Sequence, residues 1–274
     1  MSAHDLHIVK PGTKVRLDNI DPSKTPGLSG PNDLEKAAAI RELAQNTEAM
    51  KLLQRRLYAE SERSLLVVLQ GMDCGGKDGT IRHVLGPLNP QGVRVASFKK
   101  PTDEELSHDF LWRIHRQAPA RGEVGVFNRS HYEDVLVVRV LNLVPKDRWS
   151  TRYDRINEFE RNLAESGTRI LKFMLHISKD EQKERLEARL ADPDKAWKFN
   201  MSDLETRSRW DEYMEAYEDA LTKCSTEHAP WFVIPADKKW YRNWAISSIV
   251  RRELESMDPK PPAKAEELEG VTID

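Results

Sequence analysis

Five short apolar runs, separated by longer stretches of helical periodicity, set the plan of the chain. Residues 65–69, Leu-Leu-Val-Val-Leu, contain no polar position, as expected of a strand covered on both faces. Residues 92–98, 122–127, 170–177 and 231–235 read as four more strands. Between them, apolar residues return at helical spacing. Leu34, Ala37, Ala38, Leu43, Met50, Leu53 and Leu57 mark a long helix, with Asp33 placed to cap it. It suits either a sheet face or an oligomer interface. Another helix should open at Asp103 and carry Trp112, Arg113 and Arg116 on one face. Val135, Val138 and Leu141 mark a third, residues 146–165 a fourth closed by Gly167, and residues 238–255 the last. Residues 179–221 are helical and charge-rich, broken at Asp192-Pro193, with Ser202 and Glu205 as a capping box.

Strands alternating with helices predict an α/β fold: a parallel five-stranded sheet flanked by helices, with ligand at the carboxyl ends of the strands. Residues 1–30, with Pro11, Gly12, Pro22, Pro26, Gly27 and Gly30 and little periodicity, read as an irregular arm. Residues 31–257 form one domain, and the Pro- and acid-rich residues 258–274 a disordered tail.

The first strand runs into Gly71-Met72-Asp73-Cys74-Gly75-Gly76-Lys77-Asp78-Gly79-Thr80, and Ile81, Val84 and Leu85 follow at helical spacing. In that order, Gly-x-x-x-x-Gly-Lys reads as a phosphate-binding loop of the Walker A type. Its backbone N–H groups and lysine cradle phosphate oxygens at a helix N-terminus. Lys77 is the leading candidate, with Gly75, Gly76, Asp78, Gly79 and Thr80 around the phosphates. Asp78 stands where Ser or Thr usually ligates magnesium, and Asp73 adds a second carboxylate. Bare carboxylates would repel phosphates, so a bridging divalent cation is expected, held by Asp73 directly or through water. Cys74 reads as a small loop residue, although Lys77 and a helix N-terminus beside it could lower its pKa.

Asn128 ends the third strand where a P-loop protein usually carries its second metal-organising acid. An amide can bind metal or water through its carbonyl but adds no charge. Arg129, permanently charged, suits an acceptor phosphate or the moving phosphoryl group. Glu133 is either part of this motif or only an i,i+4 ion-pair partner of Arg129. Lys99, Lys100, Arg113, Arg116 and Arg121 form a candidate anion-binding wall, of which about half should touch ligand. Arg185 and Arg189, with Lys195, Lys198 and Arg207, suggest a lid over about residues 180–215 that closes on phosphates. The competing reading is a salt-bridged surface helix pair, since Glu181, Glu184, Glu187, Asp192 and Asp194 lie among them.

Charged residues are 32% of the 274-residue chain, yet the net charge is only −2. No global basic excess points to nucleic acid, so any anionic ligand must be met by local clustering. Cys74 and Cys224 have neither metal spacing nor the pattern of a disulfide framework, which suits a reducing cytoplasm. The eight histidines show no metal-ligand clustering. No apolar window approaches a membrane span, and a soluble, cytoplasmic protein with no membrane partner is expected.

With these residues assembled, residues 51–253 resemble the type-2 polyphosphate kinases. The resemblance rests on the loop from Gly71 to Ile81, on Phe98-Lys99-Lys100-Pro101-Thr102 with Leu111-Trp112-Arg113, on the stretch from Phe127 to Leu136, and on Lys195-Ala196-Trp197-Lys198-Phe199. It implies a thymidylate-kinase-like P-loop fold with a helical lid. It also implies reversible transfer of a terminal phosphoryl group from inorganic polyphosphate to a nucleotide, with Mg2+ or Mn2+. Carried over, Asp73 organises the metal, Lys77 bridges phosphates, Asn128 and Arg129 form the second motif, and the lid's basic residues face the phosphates. The family often has Asp at the position of Asn128, so this chain departs from the family pattern at a residue that bears on the metal geometry. Ser130-His131-Tyr132-Glu133-Asp134-Val135-Leu136 is similar to the subgroup acting on both nucleoside mono- and diphosphates. The expected substrates are adenine nucleotides, AMP and ADP, with guanine nucleotides as a further option, and the expected assembly is a homo-oligomer, dimer or tetramer. Two rival readings are an ATP-dependent nucleoside monophosphate kinase and a non-catalytic polyphosphate-binding protein.

Overall fold

The computed structural model describes residues 1–263 and 271. Its centre is β2 (Ser64–Gln70), in which all seven residues are buried. An uninterrupted apolar run is what a strand between two helical layers requires. β3 (Val93–Ser97), β4 (Val124–Asn128), β5 (Thr168–His176) and β6 (Trp231–Pro235) complete the expected parallel set. A sixth strand, β1 (Ile8–Val9), adds antiparallel to β6, so the sheet is mixed, in the order β1-β6-β5-β2-β4-β3. Successive strands lie to either side of β2, and this switch point opens a crevice outside its carboxyl end.

The arm is therefore not irregular throughout. Ser2 caps a short helix, Ala3–His7, in a capping box with Asp5, and the chain then enters β1. A two-residue strand is too short to show alternation. Tertiary bonds hold it: Ser225 Oγ donates to the Val9 carbonyl at 2.6 Å, and His7 Nε2 meets the Tyr241 hydroxyl at 2.8 Å.

The longer helices are α1 (Asn32–Glu60), α2 (Arg152–Glu165), α3 (Lys179–Ala191), α4 (Met201–Ser208), α5 (Trp210–Cys224) and α6 (Lys239–Met257). α1 packs along α6 on one side of the sheet, and α2 lies against β5. Pro31, not Asp33, is the N-cap of α1; Asp33 sits in its first turn, where its charge still complements the helix dipole. Gly167 closes the turn after α2 at φ +95°, as its position suggested.

Three expected helices are shorter than their periodicity implied. The one opening at Asp103 stops at Leu106, capped by Thr102 and Glu105, and a second turn spans Trp112–His115. Between them the Asp109 carboxylate accepts the Leu111 N–H at 2.9 Å, a local bond that competes with the helical ladder. Residues 131–140 are a 3-10 turn followed by a single helical turn, Val137–Val140. The stretch from Lys146 also breaks after Trp149, before α2. The capping box of α4 is Asn200 with Asp203, rather than Ser202 with Glu205, since Asn200 accepts the Ser202 N–H. The tail expected to be disordered lies mostly outside the described residues.

Candidate active site

The loop after β2 turns sharply over the neighbouring strand. Gly71 adopts φ +153°, and a β-carbon there would lie 2.8 Å from the Leu175 carbonyl. Gly76 has φ +101°, and its β-carbon would fall 1.8 Å from a guanidinium nitrogen of Arg242. Glycine is thus dictated at Gly71 by backbone conformation and by space, and at Gly76 by backbone conformation.

Lys77 is buried and folded back over the loop, donating to the carbonyls of Gly71 at 2.6 Å and Met72 at 3.1 Å. Burial, helped by the positive charge of Arg129, lowers its pKa to about 8. Asp73 faces the second motif: Arg129 Nη2 donates to Asp73 Oδ1 at 2.6 Å, and Nη1 to Glu133 Oε2 at 3.0 Å. Glu133 and then Asp73 hold the guanidinium firmly charged against its desolvation. Arg129 and Glu133 do not share a regular helix, because Arg129 lies at φ +62° before the 3-10 turn. Their contact is a hook, steadied by Gln70 Nε2 donating to Glu133 Oε1 at 3.1 Å. A left-handed conformation at a residue with a β-carbon costs about 1–2 kcal/mol, so the surrounding structure must enforce it. Beside the pair, Asn128 Nδ2 donates to Asp78 Oδ1 at 2.8 Å, which joins the second motif to the first.

Asp73, Lys77, Asp78, Asn128 and Arg129 line a cleft of about 1240 Å³ at the carboxyl ends of β2, β3 and β4. Its walls carry ten Lys or Arg side chains and five Asp or Glu, although the whole chain is net acidic. Such local focusing is what a polyanionic ligand requires.

The basic wall is narrower than expected. Lys99 lines the cleft, but Lys100 does not. Arg113 is buried, donates to the Lys99 carbonyl at 2.8 Å, pairs with Glu105 at 3.5 Å and covers the Phe98 ring, so it holds the turn. Arg116 lies over Trp112, and Arg121 precedes the opposite, amino end of β4. Thr80 is buried, and neither it nor Gly75 faces the cleft, whereas Gly76, Asp78 and Gly79 do.

The lid residues divide. Arg185 bonds Glu181 and the carbonyls of Cys74, Ala236 and Asp237, clamping the base of α3 to the loop. Gln182 adds a bond to the Asp73 carbonyl at 3.0 Å. Arg189 pairs with Asp203 of α4 at 3.2 Å, while Lys198 stands over the Trp197 ring, which is 75% exposed. The stretch is thus salt-bridged at its base, as the competing reading expects, and exposed at Trp197. Cys74, at φ +61°, has its thiol pKa raised by burial, which suits a small loop residue and not the lowering that Lys77 and the helix N-terminus could have produced.

Arg242 escaped the sequence reading. Its buried guanidinium covers Gly76 and Gly79 and bonds the Asn243 side-chain carbonyl. Its position on the last helix, just beyond the carboxyl end of β6, was the available signal.

Among the described residues no three His, Cys, Asp or Glu side chains group closely enough to hold a metal ion by themselves. Asp73, Asp78 and Asn128 all lie on the cleft wall and carry oxygen donors of the kind a hard cation takes.

The family model described as Polyphosphate kinase 2 (PPK2) matches residues 33–262. An AMP/ADP-polyphosphate phosphotransferase of Meiothermus ruber is 54% identical over 266 residues, covering 97% of this chain and 98% of the relative. An ADP-polyphosphate phosphotransferase of Rhodopseudomonas palustris is 43% identical over 267 residues, 92% of each. The crystal structure of polyphosphate kinase 2 from Arthrobacter aurescens TC1 superposes with a TM-score of 0.91 at 47% identity, covering 97% of this chain and 93% of that one. With the loop, the second motif and the basic cleft all within the matched span, this chain belongs to the polyphosphate kinase 2 family.

Proposed function

We propose that the chain is a nucleotide kinase that takes its phosphoryl group from inorganic polyphosphate and delivers it, reversibly, to AMP and to ADP. The observation that carries this reading is the Asp73–Arg129 pair set over a phosphate loop within a cleft of excess positive charge. The relatives named as AMP/ADP- and ADP-polyphosphate phosphotransferases support the substrates.

A terminal phosphate oxygen of the nucleotide attacks the terminal phosphorus of polyphosphate. The new P–O bond forms as the bridging P–O bond breaks, and the chain leaves one phosphate shorter. In-line transfer asks for positioning and charge neutralisation more than for a protein nucleophile. Lys77, protonated below about pH 8, is placed to leave its two loop carbonyls for phosphate oxygens. Arg129, held by two carboxylates, faces the charge that develops on the moving group. Asp73, with Asp78 and Asn128, would hold Mg2+ or Mn2+, which neutralises phosphate charge when bound. The exposed tip of the lid, with Trp197 and Lys198, closes over the bound chains and excludes water.

The test is formation of ADP and then ATP from AMP and polyphosphate with no nucleoside triphosphate present, with GMP and GDP run alongside. Lys77→Ala and Asp73→Asn should each abolish transfer while leaving circular dichroism unchanged. Turnover only with ATP as donor, or wild-type rates in either variant, would contradict the reading.

A further inference from the structure

Beneath the second motif lies a buried ion pair that the chemistry above does not use. Lys172, on β5, and Glu160, on α2, are both inaccessible to solvent, with Nζ 2.5 Å from Glu160 Oε2. Lys172 also donates to the Tyr132 hydroxyl at 2.8 Å and to the Cys224 carbonyl at 2.6 Å. Glu160 Oε1 accepts from that hydroxyl at 3.0 Å and from His131 Nε2 at 3.1 Å. Each polar group in the cluster thus reaches the turn that follows Arg129, or ties it to β5, α2 and the end of α5.

A buried pair of charges is weak evidence of stabilisation, because desolvation offsets the attraction between them. Its contacts indicate another use. Arg129 lies in the left-handed region, and such a conformation persists only where its surroundings over-determine it. On one side its N–H donates to the Leu69 carbonyl of β2 at 3.0 Å. On the other, Ser130 Oγ accepts the Tyr132 N–H at 3.1 Å, and His131 and Tyr132 plunge into the core to meet the ion pair. We propose that Glu160 and Lys172 are positioning residues: acting through His131 and Tyr132, they hold the turn so that the Arg129 guanidinium points at Asp73 and the phosphate loop.

The inference rests on the reading of Arg129 as a group that meets phosphoryl charge, and the test separates the two. Glu160→Gln with Lys172→Met removes both charges together at similar volume. In the folded double variant kcat should fall about tenfold or more, with KM for polyphosphate and ADP changed by less than about threefold, since misplacement acts on the reacting geometry. The same pair of changes made in an Arg129→Lys background should cost less than about twofold further, because the group through which they act is already altered. Wild-type kcat in the folded double variant overturns the proposal, and so does an undiminished further loss in the Arg129→Lys background. Should the double variant not fold, Tyr132→Phe cuts the hydroxyl link while both charges stay paired, and it is expected to show the same non-additivity. Full activity of Arg129→Lys alone would instead overturn the role assigned to Arg129.

Discussion

Lys77 is the residue whose protonation the site depends on most directly. Its folded pKa, about 8, lies below the ordinary lysine value of 10.5, because burial disfavours the charged form. Between those values the unfolded chain binds the extra proton, so this group's contribution to stability rises with pH across that window. Phosphate binding has the opposite sign, since it favours the ammonium. The affinity of the free enzyme for tripolyphosphate, read by calorimetry, should therefore decline as pH passes about 8, and Lys77→Met should remove that inflection. A flat profile to pH 10 in the wild type would show that another group carries the charge. Several residues that line the cleft were legible before the fold: Asp73, Lys77 and Arg129 announce themselves by local order. Arg113 and Arg242 did not, because their roles depend on what packs over them. Arg113 is turned inward by Lys99 and Phe98, and Arg242 reaches the loop from a helix at the other end of the chain.

At the scale of elements, apolar runs located β2, β4, β5 and β6, because a strand buried on both faces leaves little room for polar residues, while β3, an exposed edge strand that carries Arg94 and Ser97, was marked only by its β-branched residues. Helix lengths were less legible, since a single Asx bond at Asp109 or a break after Trp149 interrupts periodicity without erasing it. The charged stretch over residues 180–215 shows the same limit. Charge alone did not distinguish its anchored base from its exposed tip, and Arg185 decides the matter by bonding three carbonyls from two other segments. Arg185→Ala strands those carbonyls and loosens the loop. It should destabilise the protein by about 2–3 kcal/mol in urea unfolding, as expected for lost charge-assisted bonds. Unchanged stability would mean that solvent replaces the clamp.

For the whole molecule, the decisive fact is the separation of charge: ten basic and five acidic side chains line the cleft of a chain whose net charge is −2. The excess of positive charge in the cleft is therefore offset elsewhere in the chain, where acidic residues outnumber basic ones. Attraction confined to one cleft is screened over about 10 Å at 0.1 M salt. Raising sodium chloride from about 0.05 to 0.5 M should thus raise KM for long-chain polyphosphate by on the order of tenfold while leaving kcat within about twofold. Equal salt sensitivity for AMP and for long polyphosphate would argue against an extended basic track.

The small strand at the sheet's edge sets a timetable for synthesis. Ile8 and Val9 leave the ribosome more than two hundred residues before Trp231 and Phe232, the partners they pair with. At about 5–20 residues per second, they wait roughly 10–45 s for that edge to exist. Once His176 has been made, the four parallel strands β2 to β5 are present and can assemble around the loop, whereas β6, the arm and α6 join later. The loop itself precedes that edge, but the groups that cover and clamp it, Arg242 and the carbonyls of Ala236 and Asp237, follow β6. A nascent chain arrested before β6 is the species most exposed to pairing with a neighbour, through the uncovered edge of β5.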